Sequence, residues 1–452
     1  MVEIGRKIEE RIRDFFTGSD KALLITGARQ VGKTHSIRKC GRAAFASFIE
    51  INFLENTRAQ PLFSGARNSQ DILLRISALV NRPLIPGKTL IFFDEVQECR
   101  EIVTAIKFLV EEGSYRYVLS GSYLGVELQD IRSAPVGYMD IMEMYPLDFE
   151  EFALASGVSG TIISNLRKAF DERLPADSLI HDRMMDLFRL YLIVGGMPSV
   201  VKRYLATNDL QKVAEEQKAI LTLCRKDIAR YDPRNKLYLK EILELIPGEL
   251  NGRNKRFILK NLNENFKFSR YQNSFIWLKN AGVALPVSAV AEPAAPLLLN
   301  KSPNLFKLFL SDVGLLASMY SDGIQVKILS GAMNINFGSV YENAAAQELK
   351  AHGFELYYFN SKKYGELDFV IECGGEVIPI EIKSGKDYQR HAALDSIMAT
   401  ENYAIPQAYV FHNGNVQVDK DVVYLPIYML MFLEKEKAGQ PLIYHVNLEG
   451  LT

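Results

Sequence analysis

Apolar positions along the chain change period several times, and each change marks an element. In "MVEIGRKIEERIRDFF", Ile4, Ile8 and Ile12 recur every fourth residue among charges, one face of an amphipathic helix. Ala22–Ile25, "KTLIFFDEVQE" (88–98) and "RYVLSGSYLG" (116–125) are continuous apolar runs. They predict strands buried on both faces, as in a parallel sheet with helices between. Residues 160–240 follow helical spacing and break at Gly195-Gly196-Met197-Pro198, which predicts a helical lid with a tight turn. "EPAAPLLLNKSPN" (292–304) reads as a loop, and "LFKLFLSDVGLLASM" returns to a strand and short helix. A helix starting at Ser339 and closed by Gly353, a strand over Glu355–Phe359, a hairpin, a helix over about 387–398 and the strand "AYVFH" complete an α-β-β-β-α-β order.

The hairpin, "GELDFVIECGGEVIPIEIKSG" (365–385), poses an electrostatic problem. Gly374-Gly375 between two β-branched runs signals a two-residue turn. A bulge-free turn there sets Asp368 opposite Glu381 in a non-hydrogen-bonded pair, where side chains sit closest. Like charges so placed destabilise a sheet, so something should compensate. Two hard carboxylates suit a divalent cation such as Mg²⁺ or Mn²⁺; an ion cluster with Lys383 would also relieve them. Glu381 and Lys383 share a strand face, and Ile380 and Ile382 point to the other.

The clearest chemistry lies near the N-terminus. "KALLITGARQVGKTHS" holds Gly27-x-x-x-x-Gly32-Lys33-Thr34 between an apolar strand and a potential helix, the P-loop pattern in its required context. Residues 27–35 (Gly27, Ala28, Arg29, Gln30, Val31, Gly32, Lys33, Thr34, His35) are the expected nucleotide cradle. Backbone N–H groups would hold phosphate, Lys33 would neutralise it, and Thr34 would take one Mg²⁺ position. The second strand ends in Asp94-Glu95: Asp94 is the further Mg²⁺ residue, and Glu95 the group that polarises the attacking water. Ser120 and Ser122 follow the third strand, where a polar group could sense the γ-phosphate. All of these fall at carboxyl ends of predicted strands, where doubly wound sheets bind ligands.

These motifs resemble the bacterial and archaeal AAA-type ATPases that carry a C-terminal domain of unknown function. The resemblance rests on "GARQVGKT", "IFFDEVQE", "LSGS" and "MYPLDFEEF" (144–152), and continues through "YLIVGGMPSVVKRYL", "CRKDIARY", "FKLFLSDVGLL" and the hairpin. It implies an α/β fold: an ATPase core over 1–155, a helical lid over 156–235, a winged-helix-like segment over 236–325 and a restriction-endonuclease-like domain over 326–452. Asp368, Glu381 and Lys383 match the Asp…Glu-x-Lys signature of that last fold, with Glu342 as a helix-borne metal ligand or the end of a capping box begun at Ser339. One departure is Gly137-Tyr138 where many members have Gly-Arg, which removes an arginine from the γ-phosphate at that position; Arg132 and Arg225 could substitute.

Charge and composition refine the partners. The chain has 452 residues, net charge −1, 48% apolar and 24% charged residues, so a nucleic-acid surface must be local. "NGRNKRFILKNLNENFKFSRYQNSFIWLKN" (251–280) is such a place, with seven Lys/Arg against one acid. A helix begun by a Ser269–Gln272 capping box and stopped at Gly282 would bury Tyr271, Phe275 and Leu278 and turn Arg270 and Asn273 outward. Four scattered cysteines and no apolar span suit a cytoplasmic protein. The expected function is ATP hydrolysis coupled to action on DNA or RNA, with ATP and Mg²⁺ as cofactors and a homo-oligomer allowed. The alternative is an ATP-controlled signalling switch that binds protein partners through a non-cleaving C-terminal domain.

Overall fold

The structure is a computed structural model that describes residues 3–56, 59–63, 68–80, 83–122, 137–231, 236–252, 255–258, 268–320, 323–330, 338–435 and 445–446. Arg132, one of the arginines considered above, lies outside the described residues, as does the side chain of Arg270.

Five strands form the first sheet: β1 (Ala22–Thr26), β2 (Ser47–Asn52), β3 (Thr89–Asp94), β4 (Arg116–Ser120) and β5 (Met139–Glu143). Their order is β2-β3-β4-β1-β5, and every pairing is parallel. The apolar runs 22–25, 89–94 and 117–120 are buried on both faces, as continuous hydrophobic strands must be. α1 (Lys7–Gly18), α2 (Lys33–Ala44), α3 (Ser69–Val80) and α4 (Arg100–Glu112) flank the sheet. Ile4, Ile8 and Ile12 are all buried, so the spacing seen at the N-terminus marks an inward face.

α5 (Phe149–Ala155) opens a helical layer that continues with α6 (Gly160–Asp171), α7 (Ser178–Val194), α8 (Pro198–Thr207), α9 (Leu210–Tyr231) and α10 (Lys236–Leu250). Gly195 and Gly196 separate α7 from α8 for steric reasons. A Cβ on Gly195 would lie 2.3 Å from Asp312 Oδ1, and one on Gly196 would lie 2.1 Å from the Leu147 carbonyl oxygen. Asp312 also caps α12 (Val313–Met319) and accepts the Gly196 N–H at 2.6 Å.

α11 (Phe268–Asn280) buries Tyr271, Phe275 and Leu278, the expected stripe, and leaves Asn273 exposed. It ends as the sequence suggests: the Val283 N–H reaches the Leu278 carbonyl (3.0 Å), and Gly282 takes φ 69°. The hairpin that follows, β6 (Ala284–Val290) and β7 (Lys301–Leu310), is not a free wing. It belongs to an eight-stranded sheet with β8 (Tyr357–Ser361), β9 (Gly365–Cys373), β10 (Glu376–Ile382), β11 (Ala408–His412), β12 (Gln417–Asp419) and β13 (Val422–Pro426). The order is β12-β13-β11-β10-β9-β8-β6-β7, with β6 parallel to β8. The sheet therefore crosses the boundary expected at residue 326, because the parallel pairing of β6 with β8 satisfies an edge that either segment alone would leave open.

α13 (Gly338–Ala351) packs between this sheet and the helical layer, and α14 (Ala392–Met398) covers the other sheet face. Three consecutive buried alanines, Ala344–Ala346, let α13 approach closely. Glu348 on α13 accepts the Phe149 N–H (2.8 Å) and the Tyr191 hydroxyl (3.2 Å), which ties the "YPLDFEEF" segment to the C-terminal sheet. One apolar core runs from Ile8 and Leu23 through Phe149 and Tyr191 to Leu310 and Ile380.

Candidate functional site

The chain leaves β1 through a turn that side chains would obstruct. Gly27 and Gly32 take φ 136° and 103°, and a Cβ on Gly27 would lie 2.1 Å from the Met144 carbonyl oxygen. Gln30, at φ 66°, shares the left-handed region. α2 begins at Lys33, so the turn sits on a helix N-terminus, a natural anion site. Val31 anchors the loop: its side chain is buried and its carbonyl accepts Arg6 Nη1 at 2.8 Å. Arg6 Nη2 also reaches the Tyr145 carbonyl (2.7 Å), and Nε reaches Glu151 (3.0 Å).

Lys33 Nζ donates to the carbonyls of Gly27 (3.0 Å) and Ala28 (2.8 Å) and to Ser122 Oγ (3.1 Å). Burial pushes its pKa down to about 8, against the pull of Glu95 and Asp94. Asp94 is a second hub. It accepts Thr34 Oγ1 and Asn52 Nδ2, each at 3.1 Å, together with the Ser120 hydroxyl and the Glu95 N–H (3.1 Å). The Thr34 hydroxyl beside a carboxylate is a donor set that fits Mg²⁺, which keeps several waters. Glu95 adopts φ 55°, a strained conformation for a non-glycine residue, and its carboxylate accepts Gln97 Nε2 at 2.5 Å. Arg29 points away from this network to both oxygens of Asp227 on α9 (2.6 and 2.7 Å), and His35 is exposed. Ala28 touches the α11–β6 turn: a Cβ on Gly282 would lie 2.9 Å from the Ala28 nitrogen.

The second site is the hairpin. Cys373 pairs with Glu376, and the register continues without a bulge to Phe369 opposite Ile380, so Asp368 falls opposite Glu381. Gly374 (φ 60°) and Gly375 (φ 82°) have the two positive φ angles of a type I′ turn. Asp368 and Glu381 line one cavity of about 410 Å³ with Lys255, Asn360, Gly365, Glu366, Ile382 and Lys383.

What compensates the two acids is mostly ammonium. Lys383 Nζ lies 2.9 Å from Glu381, and the Ile382 N–H donates to Asp368 Oδ2 at 2.9 Å. Burial first, then the Asp368 charge, pushes the Glu381 pKa up to about 8. Against its own burial, Asp368 is held below the usual carboxylate range by Lys255 and Lys307. Ser339 and Glu342 do not form the capping box the sequence allows. Ser339 Oγ turns to Asn251 (2.9 Å), and the Glu342 carboxylate is held by Lys255 and, at 3.7 Å, by Lys307. Among the described residues, no three His, Cys, Asp or Glu side chains converge as a metal cluster. Glu342 stays close enough for burial and then the Asp368 charge to raise its pKa, while Lys255 and Lys307 offset its charge. Two carboxylates still fit a cation that keeps most of its water.

A family model described as an AAA domain matches residues 19–153. That part of the chain has an AAA-type ATPase fold. Two further models, each described as a domain of unknown function, match residues 185–326 (DUF8612) and 337–430 (DUF4143). No curated protein matches. Among solved structures, the chain is similar to the Walker-type ATPase PABY2304 of Pyrococcus abyssi, at 14% identity over 70% of this chain and 96% of that one (TM-score 0.44). It is also similar to the ORC1 protein of Aeropyrum pernix in complex with DNA (14%, 72% and 95%, TM-score 0.29) and to AMPPCP-bound DnaA from Aquifex aeolicus (12%, 62% and 89%, TM-score 0.30). Among the described residues, no helix is long and apolar enough to cross a membrane.

Around the phosphate turn, sequence reasoning passed over Arg6 and Asn52. Asn52 had a readable signal, since it ends β2 in register with Asp94. Arg6 had none, because its partners Val31, Tyr145 and Glu151 are far away in the chain. Arg225, the other arginine considered, lies 3.8 Å from Glu244.

Proposed function

We propose that the protein binds and hydrolyses ATP with Mg²⁺ in its AAA domain, and that nucleotide state governs action on a nucleic acid at the C-terminal carboxylate cavity. The supporting observation is that two hydrogen-bonded groups, Lys33–Ser122 and Thr34–Asp94–Ser120, lie together at the carboxyl edge of the first sheet, within electrostatic reach of each other. Lys33 would leave its loop carbonyls for the phosphates, and Thr34 and Asp94 would hold Mg²⁺, which neutralises phosphate charge when bound. Glu95, at the same strand end, would orient and deprotonate the attacking water. The route to the second site runs from Arg29 to α9 and from Ala28 to the α11–β6 turn. At that site, Asp368 and Glu381 would hold a divalent cation and Lys383 a phosphate oxygen, the donor types that phosphodiester hydrolysis needs.

One observation favours a second reading. Lys255, Lys307 and Lys383 already neutralise most of the carboxylate charge around the cavity, which suits a binding module that does not cut, inside an ATP-controlled switch. Wild type and Glu381→Ala, assayed on single- and double-stranded DNA and RNA with Mn²⁺ at low salt, separate the two. Cleavage lost in Glu381→Ala with ATP hydrolysis intact supports the first reading; no binding or cleavage of any nucleic acid by wild type supports the second.

A further inference from the structure

Lys255 reaches the carboxylate cavity from well outside the hairpin. It stands in the segment between α10 and α11 at φ 47°, a conformation that costs a lysine free energy and must be held by its surroundings. The backbone around it is anchored. The Lys255 N–H donates to the Gly252 carbonyl (3.2 Å), the Phe257 N–H to Phe306 in β7 (3.1 Å), and the Ile258 N–H to Glu249 (2.8 Å). From this fixed position the side chain enters the cavity lined by Asp368 and Glu381, and its ammonium pairs with Glu342, which is 1% exposed. Glu342 Oε2 lacks a hydrogen-bond partner, and the buried Glu381 faces Lys383 through one oxygen. An acceptor is therefore left over beside a charge that comes from elsewhere in the chain.

The charge count gives this arrangement a consequence. Four carboxylates (Glu342, Glu366, Asp368 and Glu381) meet three ammonium groups (Lys255, Lys307 and Lys383). Lys307 is wholly buried, and Lys383 is part of the hairpin itself. Lys255 is 21% exposed and lies on a connecting segment, so it is the ammonium that can leave without unfolding the sheet. Its departure removes a positive charge from beside the carboxylates, a change that favours uptake of a divalent cation by hard oxygen ligands.

We propose that Lys255 is a built-in competitor for the divalent cation: its ammonium neutralises the carboxylate cavity in this state, and its withdrawal admits the ion. The inference rests on the reading of Asp368 and Glu381 as a cation-binding pair.

The test is Mn²⁺ binding to the full chain without nucleotide, followed by calorimetry and by the electron-spin resonance of free Mn²⁺. Lys255→Gly removes the ammonium and suits the left-handed backbone, so it should fold. It is expected to bind Mn²⁺ at least ~10-fold more tightly than wild type, the scale of a favourable interaction with one nearby unit charge. Lys255→Gln, of similar length but uncharged, should show the same gain, and Glu381→Ala in the Lys255→Gly background should erase it. Equal Mn²⁺ affinity in wild type and both Lys255 variants would refute the competition while leaving the cation pair standing. A gain that survives Glu381→Ala would place the ion elsewhere and refute the proposal. Failure of all three proteins to bind Mn²⁺ would remove the cation-binding reading itself.

Discussion

The phosphate loop and the hairpin are both places where charge is buried, yet they solve the problem in opposite ways. In the loop, Lys33 rests on two carbonyls of its own turn and on Ser122, neutral partners that it can exchange for phosphate oxygens. In the hairpin, each lysine rests on a carboxylate: Lys383 on Glu381, Lys255 on Glu342, and Lys307 on Glu366 at 2.7 Å. Hydrogen bonds to neutral groups are weaker than charge-assisted pairs. The first site is thus set to receive an anion, whereas the second must give up a cation before it can receive one. Similar residue types, arranged locally or brought in from afar, make one open site and one guarded site.

The largest effect should come from the catalytic end of the open site. Glu95→Gln is expected to lower steady-state ATP hydrolysis ~10²-fold or more while leaving nucleotide affinity within a few-fold, the signature of a lost general base. Equal loss of binding and turnover would make Glu95 a structural residue. Gly27→Ala should follow: its methyl group would collide with the Met144 carbonyl, so nucleotide affinity should fall ~10-fold or more, with a lower melting temperature. An unchanged affinity for a fluorescent ATP analogue would mean that the loop is looser than its geometry implies.

The guarded site should reveal itself through pH. Glu381 is raised from the ordinary 4.5 to about 8 in the folded chain. A group whose folded value is raised stabilises the protein fully below its unfolded value, and that contribution is lost as pH rises through the folded one. The melting temperature of wild type relative to Glu381→Gln should therefore fall between about pH 4.5 and 8, by a few degrees. Parallel curves across that range would place Glu381 in a more solvated setting. The smallest effect belongs to the tie between the loop and α9. Arg29 is about one-third exposed, so Asp227→Asn should change nucleotide affinity only about two- to five-fold, the scale of a partly screened ion pair. A change in ATP hydrolysis alone would assign the pair to turnover rather than to binding.

Much of the open site was legible in the sequence because its residues come from contiguous motifs at strand ends. The positive φ angles of Gly27 and Gly32 and the burial of β1, β3 and β4 follow from patterns a few residues long. The hairpin register was equally legible, since a glycine pair fixes it locally. The guard was not. Lys255 and Lys307 reach Glu342 from separate elements, and a basic run carries no mark of which lysine turns inward. The merging of β6 and β7 into the C-terminal sheet was hidden for the same reason, as no short pattern announces a parallel pairing between segments so far apart.

The proposed nucleotide control of the second site depends on ATP occupying the first. The most direct measurement is calorimetric titration of Mg-ATP into the full chain and into Lys33→Ala. The expected result is a saturable one-site heat for the wild type that disappears in the variant, because the ammonium now resting on Gly27, Ala28 and Ser122 is the one that phosphate would claim. The same heat in both proteins, or none in the wild type, would contradict it.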